Sequence, residues 1–283
     1  MELIVVVVLL GVLAVGGGML AINPIGAYDA QVRRQQLVDQ GEMALRQIAR
    51  DIRRALPNSI RVTSVGAGFA VEMVNTVDGA RYRDEYGGDY TDDDIFVLDF
   101  AGPDRDFNFL GRVAGASAAQ LAVGTQRLVI YNTSPVDIYA EAVDVSDFQG
   151  IITRGDMALT LSNSDNGPGD DEDHIRMSDP FLFTQQSPAQ RAYVVDGSIS
   201  YVCDPGTSRI RRYSGYGYRA AQPTAPADFG VTPGRVISQL TGCNMTYAAG
   251  TAQRGGMLTV EITVADGGEA VNLLHQIHVV NVP

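Results

Sequence analysis

Five acidic side chains, Asp165, Asp170, Asp171, Glu172 and Asp173, fall in one short glycine-containing stretch. Carboxylate oxygens gathered this densely are the ligands calcium takes, and Gly167 and Gly169 permit the tight turn such a loop needs. The spacing is not that of an EF-hand, and a solvated acidic loop is the default reading of a charge run. The run Asp92-Asp93-Asp94 stands on the same footing. His275 and His278 form an H-x-x-H, which on a helix would put two imidazoles on one side. On the predicted strand, residues three apart point to opposite faces, so no shared metal site is expected. His275 falls in line with Leu273, Ile277 and Val279 and reads as a hydrogen-bonded core histidine. Tyr213, Tyr216 and Tyr218 lie among Arg211, Arg212 and Arg219. Such a set either lines a sugar-binding or partner surface or is plain alternation along a strand. Cys203 and Cys243 have no C-x-x-C spacing and no histidine near them in sequence, which argues against metal binding.

Catalytic patterns are missing from the sequence: there is no G-x-S-x-G, no H-E-x-x-H, no Walker loop, and no G-x-G-x-x-G after a strand. With three histidines there are few general bases. The chain is therefore not read as an enzyme, and no catalytic, cofactor-binding or metal residue is assigned. A net charge of -12 argues against a nucleic-acid partner, whose phosphates would be met by a basic surface. All 21 basic residues are arginine, for which the sequence offers no functional reason.

The elements that would carry these residues change character along the chain. From Leu3 to Ile22 no side chain is charged, a length that matches the roughly twenty residues of a membrane-crossing helix. Glu2 stands at its entrance, where an acid either has a partner or reaches back to water. After Asn23-Pro24, where a kink or local melting is expected, Val38, Leu45, Ile48, Ile52 and Leu56 recur at helical spacing, and Pro57-Asn58 ends the pattern. From Ile60 the chain turns to short β-like runs: Ile60 to Val65, Phe69 to Val74, Ile95 to Phe100, Arg127 to Tyr131, and Tyr193 to Cys203 with a turn at Asp196-Gly197. Met257 to Val264 alternates as a half-buried strand, Asp266-Gly267-Gly268 turns, and Ala270 to Val282 returns. Tyr82 to Asp94, Ser162 to Asp173 and Ala220 to Gly234 read as surface loops.

The string Glu2-Leu3-Ile4-Val5-Val6-Val7-Val8-Leu9-Leu10-Gly11-Val12-Leu13-Ala14 resembles the N-terminal helix of type IV pilins and type II secretion pseudopilins. Three further segments, Asp196 to Cys203, Arg212 to Gly217 and Leu273 to Pro283, resemble the minor pilins of the mannose-sensitive haemagglutinin (MSHA) pilus system, whose plan is similar to that of the J-type minor pseudopilins. The resemblance implies an α+β, pilin-like fold. Residues 1–57 would form a long helix, transmembrane in its first half and amphipathic in its second, packed on an antiparallel β-sheet head of residues 58–283. It implies a minor pilin-like subunit that assembles or initiates a type IV (MSHA-type) pilus used in surface attachment. Such a protein sits in the inner membrane with a periplasmic head before joining the pilus.

Its implied partners are other pilin subunits, the pilus assembly machinery and the inner membrane. Glu2 takes the place of the family's assembly glutamate, which pairs with the N-terminal amine of a neighbour. No basic leader ending in Gly, and no Phe-Thr-Leu, precedes Glu2, and the nearest basic residues, Arg33 and Arg34, follow the span. The expectation is an upstream start that supplies a leader for a prepilin peptidase. In an exported head, the even count of Cys203 and Cys243 predicts a disulfide. Two other functions stay open: a tip adhesin or carbohydrate-binding module, which needs an exposed aromatic groove, and a membrane-anchored periplasmic enzyme, which needs a convergent polar pocket.

Overall fold

The computed structural model describes residues 2–85, 96–144, 147–164, 172–250 and 255–280, with the backbone alone for 16–27 and for 164. Among the described residues, helix α1, Glu2–Arg53, is followed by thirteen strands, three short α-helices and a 3-10 turn at Pro205–Thr207. The strands are β1 Arg61–Val65, β2 Gly68–Tyr82, β3 Asp104–Leu110, β4 Arg127–Ile130, β5 Gln149–Gly150, β6 Leu159–Ser164, β7 Glu172–Phe183, β8 Arg191–Asp204, β9 Arg209–Ser214, β10 Gly234–Ser238, β11 Leu240–Ala248, β12 Gly256–Asp266 and β13 Glu269–Val279. The helices between them are α2 Ala118–Ala122, α3 Pro135–Glu141 and α4 Pro226–Phe229.

Ten strands form one sheet along the path β10-β9-β8-β2-β3-β7-β5, with β1 added to β2, β4 to β8 and β6 to β7. Strands β11-β12-β13 form a second, three-stranded sheet. The long β2–β8 pairing is the axis of the large sheet, and it shifts register between Val74 and Asp78. Asp196-Gly197 lies at that irregularity, so the expected turn is a bulge inside one continuous strand, where an extra residue is absorbed and the twist increases. Strand β7 carries Pro180, which a central ladder would exclude, and its pairing with β3 jumps between Asp104 and Asp106 across that segment.

The helical stripe packs largely as its spacing predicts, with Val38 half-buried and Leu56 beyond the end of α1 at Arg53. Leu45, Ile48, Ile52 and Leu56 are buried, and Leu37, Ala44 and Ala49 join them. Their partners include Val71, Tyr201, Leu258, Val260, Ile262 and Ile277, so α1 shares a core with both sheets. Gly41 marks a close approach of helix and sheet, because a Cβ there would overlap the Leu273 side chain. A second core, built on Phe107, Phe109, Phe181, Phe183 and Tyr82, lies at the β3/β7 side of the sheet. Helix α3 starts at Ser134, whose side chain accepts from Val136 N at 3.0 Å, with Pro135 at the first helical position.

Several expectations are corrected. The chain is mostly β, with 44% strand and 24% helix, and its large sheet is mixed because β5 and β7 run parallel. The expected α+β, pilin-like plan with a purely antiparallel head is thereby corrected to a mostly β chain with a mixed sheet. Among the described residues no helix is long and apolar enough to cross a membrane. The transmembrane half-helix and the single-pass inner-membrane location are therefore not supported.

Helix α1 is continuous through Pro24 and ends at Arg53, where Ala55 bridges to Asn75. Phe96–Phe100 forms no strand, although Leu98 N donates to Arg83 O and Asn108 N to Phe96 O. Ser162–Ser164 and Glu172–Asp173, expected as loop, pair with each other across β6 and β7. Ile95 and residues 281–283 of the expected last strand lie outside the described residues.

Candidate functional site

Two features of α1 stand out, a stem and a joint. In the stem the side chains from Leu3 to Val15 are exposed, with Leu3 at 78% and Leu13 at 69%. Glu2 is exposed in the first turn, where a carboxylate faces the positive end of the helix dipole. At the joint, Asp51 accepts from Tyr201 Oη at 2.6 Å and from Arg212 Nε at 2.7 Å. Burial raises the Tyr201 hydroxyl well above its ordinary value, and Asp51 adds to that. Burial opposes the charge on Arg212, but the Asp51 hydrogen bond and field more than offset it and the guanidinium is held above its usual range. These bonds tie α1 to β8 and β9.

Cys203 and Cys243 are bonded, with Cα atoms 6.6 Å apart, as the even cysteine count predicts. The bridge staples β8 of the large sheet to β11 of the small one. It encloses the tyrosine–arginine segment.

That segment faces inward. Tyr213 and Tyr216 are buried, and Tyr213 stacks on Phe229 with ring centroids 3.8 Å apart. The exposed aromatic groove that a sugar-binding surface needs is not formed by these two rings. Tyr216 instead donates to Glu72, a fully buried acid on β2, at 2.7 Å, and its oxygen lies 2.7 Å from Ser200 Oγ. Arg61 donates to Glu72 from Nε at 2.6 Å and to the carbonyls of Ala220 and Arg219 at 2.7 Å each. Its guanidinium also lies 3.6 Å from the Tyr139 ring centroid. Burial raises the Glu72 carboxyl above its ordinary value, and Arg61 and Tyr216 pull the other way. The cluster clamps the loop after β9 onto β1 and β2.

Sequence reasoning missed Glu72. The only signal was an acid inside the apolar run Phe69 to Val74. It also missed Arg127, buried on β4, which donates to Thr153 O and to Ala142 O and lies 5.3 Å from the Tyr218 ring centroid. Burial lowers its pKa.

Of the proposed calcium ligands, Asp165, Asp170 and Asp171, with Gly167 and Gly169, lie outside the described residues, as do Asp92, Asp93 and Asp94. Glu172 and Asp173 are described, and arginines hold both. Glu172 pairs with Arg83 and accepts from Asn108 Nδ2 at 3.1 Å, while Asp173 accepts from Val113 N at 2.8 Å and pairs with Arg112. Two of the five carboxylates are thus already neutralised by protein cations.

His275 is half-buried and His278 exposed, on opposite faces of β13. Among the described residues no group of acidic, histidine or cysteine side chains is arranged to hold a metal. A surface groove of ≈ 300 Å³ is lined by Glu141, Asp144, Asp147, Gln149 and Arg154 among others. In it Glu141 accepts from Ile151 N at 2.6 Å and Arg154 pairs with Asp156, so both hold local structure. No family model, no curated protein and no solved structure matches this chain.

Proposed function

We propose that the chain is a structural subunit: a minor pilin-like protein for assembly or initiation of a type IV, MSHA-type filament used in surface attachment, acting through the stem of α1. The observation that carries this reading is the exposed apolar run Leu3–Val15 on a helix whose later turns are fixed in the core of the head. Exposed apolar area on this scale marks an interaction surface, and equivalent stems of neighbouring subunits would cover it. Support also comes from the disulfide, a staple typical of proteins that work in oxidising surroundings, and from the Asp51 joint. Glu2, at the end of the stem, is assigned the pairing with a neighbour's N-terminal amine, where exclusion of water strengthens the ion pair. The adhesin reading loses Tyr213 and Tyr216, which point inward.

The test is incorporation of Leu9→Asp/Val12→Asp chains into filaments made by cells that supply the other subunits. The head should keep its disulfide and circular dichroism while the variant disappears from purified filaments. Wild-type incorporation would overturn the proposal.

A further inference from the structure

Strand β13 closes the small sheet on one side, and among the described residues it pairs with β12 alone. The hairpin loop is Gly267-Gly268, both at positive φ (54° and 89°), between the paired residues Asp266 and Glu269. A two-residue turn of this kind makes Asp266 and Glu269 a hydrogen-bonded pair, and the pattern alternates from there. Val271, Leu273, His275, Ile277 and Val279 therefore direct their N–H and C=O groups to β12. Ala270, Asn272, Leu274, Gln276 and His278 direct theirs to the open edge. Their side chains are exposed as well, Leu274 at 62%, because α1 packs on the opposite, Leu273 face.

An edge strand of this length is ordinarily blunted by charge, proline or a bulge. From Ala270 to Val280 there is no Asp, Glu or Arg, in a chain whose net charge is -12, and the β12–β13 register has no shift. We propose that this edge pairs antiparallel with the same edge of a second copy, on a two-fold axis through Leu274, giving one continuous six-stranded sheet. That register sets Leu274 against Leu274 of the second copy, Asn272 against Gln276, and Ala270 against His278. Every outward N–H and C=O of the five residues finds a partner, the side-chain amides face each other, and Glu269 of each copy is carried to opposite ends. A slip by one residue would place inward-directed groups on the open edge and satisfy none of them. Two strongly acidic molecules can meet here without opposing carboxylates. Because α1 runs along β13, with Arg33 beside Gly267 and Gly41 beside Leu273, such a pair points its two stems in opposite directions, so it is a head-to-head contact distinct from the packing of stems.

The experiment is disulfide trapping in the full chain, whose own cysteines are already bonded to each other. Directly opposed residues of a hydrogen-bonded pair have Cα atoms about 5.5 Å apart, within the range a disulfide spans. Leu274→Cys should form a covalent dimer. Asn272→Cys should link to Gln276→Cys when the two variants are mixed, and far less to itself. Thr259→Cys, on the outer face of the central strand, should not link. Leu274→Pro deletes an outward N–H without touching the β12 ladder, and together with Leu274→Lys it should remove the dimer from sedimentation profiles. Association through the stem brings chains together but fixes no such register. Failure of Leu274→Cys to link, equal linking from Thr259→Cys, or indifference between the matched and self pairings would overturn the proposal.

Discussion

Removing the Cys203–Cys243 bridge should weaken the head by an amount that the loop it closes sets. The two cysteines are 40 positions apart, and a loop of that size restrains the unfolded chain by about 4 kcal/mol in the chain-entropy model. Cys203 is fully buried in the core shared by α1 and both sheets, so Cys203→Ala/Cys243→Ser adds roughly 1 kcal/mol for the lost sulfur packing. With a urea slope of about 2–3 kcal/mol/M, the bridge alone corresponds to a fall in midpoint of roughly 1.3–2 M. The slope should also rise, because an uncrosslinked chain expands further on unfolding. Urea unfolding followed by tyrosine fluorescence, for the oxidised protein, the reduced protein and the double variant, gives the three midpoints. A difference below about 1 kcal/mol between oxidised and reduced forms would refute the entropic reasoning. Alkylation of both cysteines in unreduced native protein would refute the bridge itself.

Asp51→Ala leaves the Tyr201 hydroxyl and the Arg212 guanidinium without their shared acceptor and should lower the unfolding free energy by about 2–3 kcal/mol, with Asp51→Asn losing less; urea midpoints check both. Glu72 has its folded pKa raised above 4.5, so the folded state holds this proton more tightly, and the group's contribution is greatest below pH 4.5 and falls as pH rises through the folded value. Glu72→Gln removes that limb, so its stability relative to wild type should climb with pH across this window; a relative decline in a pH series of urea melts would contradict the sign. Gly41→Val places a branched side chain against Leu273 and should destabilise by about 1–3 kcal/mol, measured by thermal melting, whereas Gly11→Val, with open space around it, should be close to neutral for the head.

Local chemistry made some of the fold legible. The spacing of Leu45, Ile48 and Ile52 placed the buried face of α1, strict alternation from Met257 to Val264 located β12, and the Gly267-Gly268 turn located the hairpin. The even cysteine pair gave the bridge. What stayed hidden depends on partners distant in sequence. Strand β7 contains Asp179-Pro180 and an acidic start, local features of a loop, yet Ile175, Met177, Phe181 and Phe183 enter the aromatic core. Tyr213 and Tyr216, flanked by arginines, read equally as a surface or as alternation along a strand, because burial against Phe229 and Glu72 is decided by residues that arrive from elsewhere in the chain. Glu72 was legible only as an anomaly, since nothing local announces that Arg61 and Tyr216 will meet it. The apolar N-terminal run showed that the helix needs covering, but hydropathy does not distinguish lipid from a neighbouring protein as the cover.

Photo-cross-linking from the stem within assembled filaments tests the central claim most directly. A benzophenone side chain at Leu10, exposed on α1, should form covalent adducts with another subunit, and the same group at Val136, exposed on α3 of the head, serves as the comparison. The account predicts a dominant adduct from Leu10 that maps to a neighbouring subunit's helix and is lost in the Leu9→Asp/Val12→Asp chain. Filaments that carry the protein yet give no adduct from Leu10, or the same yield with and without the aspartates, would contradict assembly through the stem.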